Sequence, residues 1–251
     1  TFNVNVGGAN APLAWGDEVG SQIVGGLVFG SNTANAKTVF LNAVDMNKTG
    51  TAATRTVTVN KGTGGDLAEM SGVLSNSGNG EASLLKNGEG TLVLSNANTY
   101  SGGTTVTAGT LAIGSDDALG PGKLVLGAVP SLGAATIMPI GPRSVANNIV
   151  LTGNGTIGGT DSLTFNGTFI NASSAFPVLT VSNTGGVTFN QAFYRSDTAT
   201  SGKVLSIAGG GNITFNGPIQ NYSGGPGLAG TLSFAGYTGT TFASLLGRAS
   251  R

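Results

Sequence analysis

The sequence of 251 residues contains no cysteine and no histidine, and it carries only 11 acidic and 11 basic side chains. The lack of cysteine excludes a disulfide scaffold, and the lack of both residue types removes the usual ligands of a zinc site. Affinity for a phosphate backbone requires clustered Lys and Arg. The net charge of +0 and the absence of a basic run therefore argue against a nucleic-acid partner. No apolar run approaches the roughly eighteen residues of a membrane-spanning helix.

The residues that are abundant favour β-structure. The chain contains 44 Gly, 31 Thr and 23 Asn, which are poor residues for helix interiors. Hydrophobic residues still make up 39% of the chain and the mean hydropathy is +0.19. A disordered chain combines low hydrophobicity with high net charge, so this composition predicts a packed, β-rich protein.

Pairs of apolar residues separated by one position recur along the whole chain, between clusters rich in Gly and Asn. Residues two apart on a strand point to the same face, so each pair predicts a short strand with one inward face. Examples are Leu92/Leu94, Leu111/Ile113, Leu163/Phe165, Val187/Phe189 and Ile213/Phe215. Parallel β-helix, propeller and sandwich all remain possible on this observation alone.

A repeated aromatic position narrows the choice of fold. Phe165, Phe189, Phe215 and Phe234 occupy similar short motifs in successive stretches of the chain, and the last interval is the shortest. These intervals are too short for four-stranded propeller blades, whereas stacked coils place equivalent residues in ladders. We expect the four Phe side chains to form one internal ladder. Outward hydroxyls would form another, built from Thr164, Thr188 and Thr214.

The middle of the chain carries a more specific motif. Residues 84–113 read LLKNGEGTLVLSNANTYSGGTTVTAGTLAI, which closely resembles the passenger-associated transport repeat, also called the autotransporter-associated β-strand repeat. The resemblance covers about residues 71–126. It implies a right-handed parallel β-helix on a secreted or surface-exposed bacterial protein, such as an autotransporter passenger.

We therefore predict an all-β, right-handed parallel β-helix (a β-solenoid). A repeat length of about 23 residues would give about ten or eleven coils. Residues 1–251 are expected to form a single β-helix domain. Residues 1–30 would start or cap it, and residues 230–246 read as a degenerate partial repeat. The only weak helix candidate is the segment 241–250.

No catalytic, cofactor-binding or metal-binding residues are predicted. Acidic residues are adjacent in the sequence at only two places, Asp116-Asp117 and Asp17-Glu18. Neighbouring residues on a strand or turn normally point apart, so neither pair is expected to form a catalytic site. Trp15 is either a ligand-stacking ring or, as we favour, a cover for the first coil. Tyr100 is expected to pack over Gly102 and Gly103 rather than bind sugar.

The predicted function is that of an extracellular structural or adhesive β-helix, located outside the cell or on the bacterial surface after removal of a signal segment. A carbohydrate-binding or carbohydrate-cleaving β-helix is the alternative, and ice binding through Thr ladders is a third, weakened by irregular coil lengths. The expected partners are other copies of the chain or a host or neighbouring surface.

Both ends of the sequence look able to pair with another strand, because the first and last coils of a β-helix leave backbone groups unpaired. End-to-end stacking of subunits into fibres would use one segment from each end. The residues assigned to this contact are Thr1, Phe2, Asn3, Val4, Leu232, Phe234 and Phe242.

Overall fold

The computed structural model describes residues 1–8, 12–16, 19–48, 50–64, 67–127, 135–198, 203–222, 231–239 and 242–244. Among these residues, every regular element is a strand and none is a helix. The all-β prediction is thereby confirmed. The chain divides into two compact units, Thr1–Leu124 and Val125–Arg251.

The strands of the first unit are short because Gly, Asn and Ser interrupt the apolar pairs. They are β1 (Phe2–Val4), β2 (Leu13–Ala14), β3 (Leu27–Phe29), β4 (Thr38–Phe40), β5 (Val44–Asp45), β6 (Ala53–Val59), β7 (Leu67–Met70), β8 (Leu74–Ser75), β9 (Ala82–Asn87), β10 (Thr91–Leu94), β11 (Gly103–Val106) and β12 (Gly109–Ile113). The division between the units falls within β13 (Leu124–Leu126).

The strands of the second unit follow the same pattern. They are β14 (Ala135–Pro139), β15 (Arg143–Val145), β16 (Ile149–Leu151), β17 (Gly155–Ile157), β18 (Leu163–Phe165), β19 (Phe169–Asn171), β20 (Val178–Val181), β21 (Val187–Phe189), β22 (Phe193–Ser196), β23 (Val204–Gly209), β24 (Ile213–Phe215), β25 (Ile219–Tyr222), β26 (Thr231–Tyr237) and β27 (Phe242–Ser244).

Parallel pairing between successive coils builds the sheets of each unit. In the first unit the strand orders are β1-β4-β7-β10-β12, β2-β5-β8 and β3-β6-β9-β11. In the second they are β14-β17-β20-β23-β26, β15-β18-β21-β24-β27 and β16-β19-β22-β25. Consecutive strands generally lie in different sheets and the paired strands are parallel, which is the arrangement of a parallel β-helix. The right-handed sense of the coil stays a prediction.

The core consists of apolar columns that run from coil to coil. In the first unit, Leu92 pairs with Leu111 and Leu94 with Ile113, and all four side chains are buried. The inward faces alternate with outward faces, as the strand period of two requires. Within the described residues, the sheet that contains β1 has five strands in the first unit and the sheet that contains β14 has five in the second. One such strand per coil agrees with the predicted ten or eleven coils.

Coil length varies more than a single repeat length predicts. In the first unit, the coil from Phe2 to its register partner Thr38 is nearly twice as long as the coil from Leu92 to Leu111. In the second unit, the coil from Val178 to Ser206 is longer than the coil from Ala135 to Gly155. Coils therefore keep their strand registers while the corners between strands absorb the difference.

The aromatic ladder is confirmed for three of its four predicted members. The rings of Phe165, Phe189 and Phe215 stack with centroid distances of 5.4 Å at both steps. The inclusion of Phe234 is wrong, because it lies on β26 in another sheet of the unit. The strand that continues the ladder sheet is β27, where Phe215 pairs with Ser244. The shorter last interval in the sequence reflects this difference.

The weak helix candidate at residues 241–250 is not a helix where the structure describes it, because residues 242–244 form β27. Their backbone pairs with β24, so tertiary strand pairing overrides the local helix preference. The rest of that segment lies outside the described residues.

Candidate binding surfaces

The acidic residues do not converge. Asp116 and Asp117 lie exposed in a turn, where the Asp117 carbonyl accepts hydrogen bonds from the backbone N–H groups of Asn98 at 3.0 Å and Gly120 at 3.1 Å. Asp17 and Glu18 lie outside the described residues. Within the part of the chain that is described, no three Asp or Glu side chains gather as they would to bind a metal ion.

No helix in the described ranges could cross a membrane.

Trp15 is fully buried, and its indole Nε1 donates a hydrogen bond to the Gly25 carbonyl at 2.6 Å. Its backbone N–H donates to the Asp45 carbonyl of the next coil at 2.8 Å. The ring is therefore not available for stacking on a ligand in this structure.

Tyr100 is part of the core rather than of a surface. Its hydroxyl forms a hydrogen bond with Thr104 Oγ1, and burial raises the pKa of this phenol, with the Thr104 contact acting in the opposite direction. Packing of the ring over Gly102 and Gly103 stays a prediction. The glycine beside the Tyr100 ring is Gly120, where a Cβ would lie 3.6 Å from ring atom Cδ2.

Asn98 joins three consecutive coils of the first unit through its buried side chain. Its Oδ1 accepts a hydrogen bond from the Leu74 N–H at 2.8 Å, and its Nδ2 donates to the Ala118 carbonyl at 2.7 Å. Residues 95–102, all of which the structure describes, form no strand. The amide therefore supplies the inter-coil bonds that a strand provides in other coils. The sequence motif contains Asn98, but its spacing alone did not indicate this role.

Lys86 is a lysine in an otherwise apolar inward column. Its register partners are Val57 and Val106, and all three residues are fully buried. The ammonium Nζ donates hydrogen bonds to the carbonyls of Asn87 at 3.0 Å, Gly88 at 2.6 Å and Ala108 at 3.0 Å. Burial lowers the pKa of Lys86 to about 8. The sequence analysis did not identify this residue as buried, because Lys is normally exposed.

A polar groove of about 520 Å³ lies at the corresponding corner of successive coils. Its volume falls within the range of small-ligand sites, but no aromatic or aliphatic residue is among those that line it. Its lining residues are Ser31, Asn32, Asn60, Lys61, Gly88 and Glu89.

The second unit presents two outward columns of hydroxyl groups. The predicted Thr ladder is present, with Thr164, Thr188 and Thr214 in register. A second column lies on the sheet that contains β17. Its hydroxyl groups come from Thr136, Thr156 and Thr180, and Ala208 is the next residue in register.

An asparagine ladder runs beside the first Thr column. The Nδ2 group of Asn190 donates to Asn166 Oδ1, and that of Asn216 donates to Asn190 Oδ1, both at 2.7 Å. Asn166 Nδ2 in turn donates a hydrogen bond to Ser144 Oγ at 2.8 Å, which extends the ladder by one coil. These amides follow the Phe positions by one residue, so one face of the sheet holds the aromatic stack and the other holds Thr and Asn.

The outward column of the remaining sheet in the second unit is mostly apolar. Its members are Val150, Ile170, Tyr194 and Gln220. The first three are half-buried and Gln220 is exposed. Tyr194 is thus an aromatic residue on the outward face of its sheet.

The residues assigned to self-association lie on, or directly before, edge strands of the described sheets. Thr1 precedes β1, which contains Phe2, Asn3 and Val4, and in the described part of the chain β1 pairs only with β4. Phe2 is 65% exposed. Leu232 and Phe234 share β26, which pairs with β23, while Phe242 lies on β27 and its side chain is not described. Thr1 to Val4 lie in the first unit, whereas Leu232, Phe234 and Phe242 lie in the second.

Two comparisons with known proteins give the family. Residues 84–113 match the family described as the passenger-associated-transport-repeat. The chain is also 31% identical over 228 residues to an adhesin BmaC autotransporter of Brucella suis biovar 1 (strain 1330), covering 78% of this chain and 6% of that protein. No solved structure matches the chain. The chain is an autotransporter passenger repeat protein, and it spans a small part of the adhesin's length.

Proposed function

We propose that this passenger repeat protein is an extracellular adhesive and structural module on the bacterial surface, without an enzymatic site. The observation that carries the proposal is the similarity over 78% of the chain to an autotransporter adhesin. Ladders of stacked coils give a stiff scaffold, because each coil is bonded to its neighbours along its strands. The scaffold would hold outward side chains at fixed spacing for contact with a host or neighbouring surface.

The face with the Thr164 column and the asparagine ladder is the contact face that we favour. It offers two adjacent rows of uncharged hydrogen-bonding groups, with Asn166 and Asn216 exposed. The Thr136 column presents hydroxyl groups on a separate sheet of the same unit. It therefore provides an internal control of the same chemistry.

The test uses beads coated with residues 1–251 and applied under flow to a cultured epithelial monolayer. Retention above that of uncoated beads is expected, with a marked loss when Thr164, Thr188 and Thr214 are replaced by Ala. Replacing Thr136, Thr156 and Thr180 by Ala should leave retention unchanged. Retention no greater than that of uncoated beads would contradict the adhesive role, and equal losses from both variants would contradict the choice of face.

Carbohydrate binding is a second candidate, favoured by the half-exposed Tyr194 ring next to the exposed Gln220 amide. An aromatic ring with a nearby polar group suits contact with sugar. A glycan array probed with the chain and with Tyr194→Ala tests this function. Binding that survives the substitution would reject the assignment of Tyr194, and release of reducing ends from the bound glycan would contradict the non-enzymatic role.

End-to-end stacking is the third part of the proposal. Phe2 belongs to an inward column and pairs with Thr38, so its exposure leaves core-type surface at the edge of the first unit. Unpaired strand edges are templates for another strand. We infer that Thr1, Phe2, Asn3 and Val4 of one copy can pair with the β26 and β27 edges of another, near Leu232, Phe234 and Phe242.

Sedimentation of the chain over a range of concentrations tests stacking. Phe2→Lys should reduce association, whereas Val28→Lys should not, because Val28 is also 65% exposed but lies on the outward face of β3. A monomer at every concentration would reject self-stacking. That result would favour covering of the edge by a preceding coil of a longer passenger.

A further inference from the structure

The corner between β9 and β10 contains a main-chain arrangement that usually needs a bound cation or water. Three carbonyl oxygens, those of Asn87, Gly88 and Ala108, converge on one point in the interior. Buried carbonyl groups without a donor are costly. Here the donor is the Lys86 ammonium, which has three N–H groups for three acceptors.

The three carbonyls come from two consecutive coils. Asn87 and Gly88 lie at the end of β9, whereas Ala108 precedes β12 in the following coil. Gly88 and Gly109 both have positive φ, at 75° and 66°. A Cβ at Gly109 would lie 2.5 Å from the Gly88 carbonyl oxygen, so the two corners approach each other too closely to leave room for a side chain at position 109.

We propose that Lys86 takes the place of a structural cation, and that its ammonium group fills this carbonyl clamp (the carbonyls of Asn87, Gly88 and Ala108) to hold two glycine corners in register. The stem of the side chain lies in the column of Val57 and Val106, so one residue joins the apolar core to the polar corner. The clamp also fixes the Gly88 side of the polar groove from within.

The charged surroundings of Lys86 are sparse. On β6, Arg55 is the ionisable residue on the inward face, and its Nε donates to the Met46 carbonyl at 2.7 Å. Glu89 lies at the corner between β9 and β10 and is exposed to solvent. Tyr100, which follows β10, is the nearby titratable phenol, and it is buried. In the part of the chain that the structure describes, no carboxylate forms a hydrogen bond or an ion pair with Lys86. The polar partners of its ammonium group among these residues are the three carbonyls.

Amide hydrogen exchange on residues 1–251 tests the clamp, with Lys86→Met compared with the exposed-residue control Lys123→Met. Lys86→Met keeps an unbranched apolar stem and removes all three donors. Exchange should speed up about tenfold or more at the amides of Gly90, Thr107 and Thr110, which bond to neighbouring corners. The amide of Asn190 in the second unit should not change. Equal protection in Lys86→Met and wild type would overturn the proposal.

Urea unfolding at pH 7.5 and 9.5 gives a second readout. The unfolded chain retains the Lys86 proton up to its ordinary pKa of 10.5, whereas the folded chain loses it near its lowered pKa of about 8. The unfolded state therefore binds more protons between these values, and stability should rise with pH across this window. The rise should be larger in wild type than in Lys86→Met, while Lys123→Met should follow wild type.

Parallel pH curves together with equal protection in Lys86→Met and wild type would overturn the proposal, whereas parallel curves with faster exchange in Lys86→Met would support it, because the three carbonyls would then offset the desolvation of the ammonium. If Lys86→Met fails to fold, Lys86→Gln, which keeps a neutral donor, serves in both measurements. Wild-type protection in Lys86→Gln would then show that the three carbonyls do not require a cation, which would overturn the proposal that Lys86 replaces one.

Discussion

The coil that contains the passenger repeat and the aromatic coils of the second unit use the same parallel strands but close in different ways. The coil from Leu92 to its register partner Leu111 is short, and residues 95–102 between β10 and β11 form no strand. The coil from Phe165 to Phe189 is longer and places a strand in each of the three sheets of its unit. A short coil has fewer residues with which to pair backbone groups, so side chains must supply hydrogen bonds inside it.

The difference shows where each region obtains its stability. In the repeat, the buried polar side chains of Lys86, Asn98 and Thr104 bond to main-chain groups of adjacent coils. In the aromatic coils, Phe165, Phe189 and Phe215 stack, and Phe169 and Phe193 pack edge-on against them. Buried polar groups are sensitive to the loss of one partner, whereas an aromatic stack depends on volume and contact area.

The largest expected effect is the loss of an aromatic member. Phe189→Ala should lower the free energy of unfolding by about 3 to 5 kcal/mol, because a buried ring is lost and a cavity remains. Thr188→Ala, on the outward face of the same strand, should change it by less than about 0.5 kcal/mol. Chemical denaturation monitored by circular dichroism measures both. Similar values for the two variants would mean that the stack does not dominate this region.

The repeat should respond to loss of one hydrogen-bonding group. Asn98→Ala leaves the Leu74 N–H and the Ala118 carbonyl without their partner, and we expect a loss of about 2 to 4 kcal/mol. Asn96→Ala is the matched control, because Asn96 is exposed and donates to the Ser71 carbonyl. Its cost should stay below about 1 kcal/mol. Equal costs in urea titrations would contradict the role of Asn98 as a substitute for strand pairing.

Two corner glycines with positive φ, one from each unit, differ in how closely other backbone approaches them. Gly109→Ala places a Cβ against backbone atoms at 2.5 to 2.6 Å, while a Cβ at Gly186 meets nothing within 4 Å. Both residues have positive φ, so Gly186→Ala should cost about 1 kcal/mol from backbone strain alone. Gly109→Ala should cost about 2 to 3 kcal/mol, because the backbone must also move. The difference between their thermal midpoints measures the close approach, and it should vanish if the corner relaxes freely.

The smallest effect is expected from the ion pair between Lys37 and Glu69. Burial raises the pKa of Glu69, but hydrogen bonds from Lys37 and Ser95 and the Lys37 charge outweigh this and lower it. The contribution is complete above the unfolded pKa of 4.5 and is lost as the pH falls through the lowered folded value. Lys37→Met should cost less than about 1 kcal/mol at neutral pH. A loss as large as that of Asn98→Ala would mean that this surface ion pair stabilises the first unit as strongly as a buried amide does.

The sequence predicted the strands, their parallel stacking and the Phe165–Phe189–Phe215 ladder, because strand periodicity and equivalent positions in successive coils are visible in the residues themselves. It did not place Phe234, since two consecutive short strands carry similar motifs and the chain alone does not show which sheet each joins. The outward position of Tyr194 was missed for a related reason. Its direction depends on its register with Ile170 and Gln220.

The amino-acid sequence by itself determined that this protein is a stack of short strands, because alternation of apolar and polar residues sets an inward and an outward face wherever a strand forms. Only the tertiary structure decided what the polar residues of the motif do. Lys86 and Asn98 find partners on neighbouring coils that lie far away along the chain. The fold selects these contacts because a buried ammonium or amide is stable only where backbone groups of neighbouring coils converge on it.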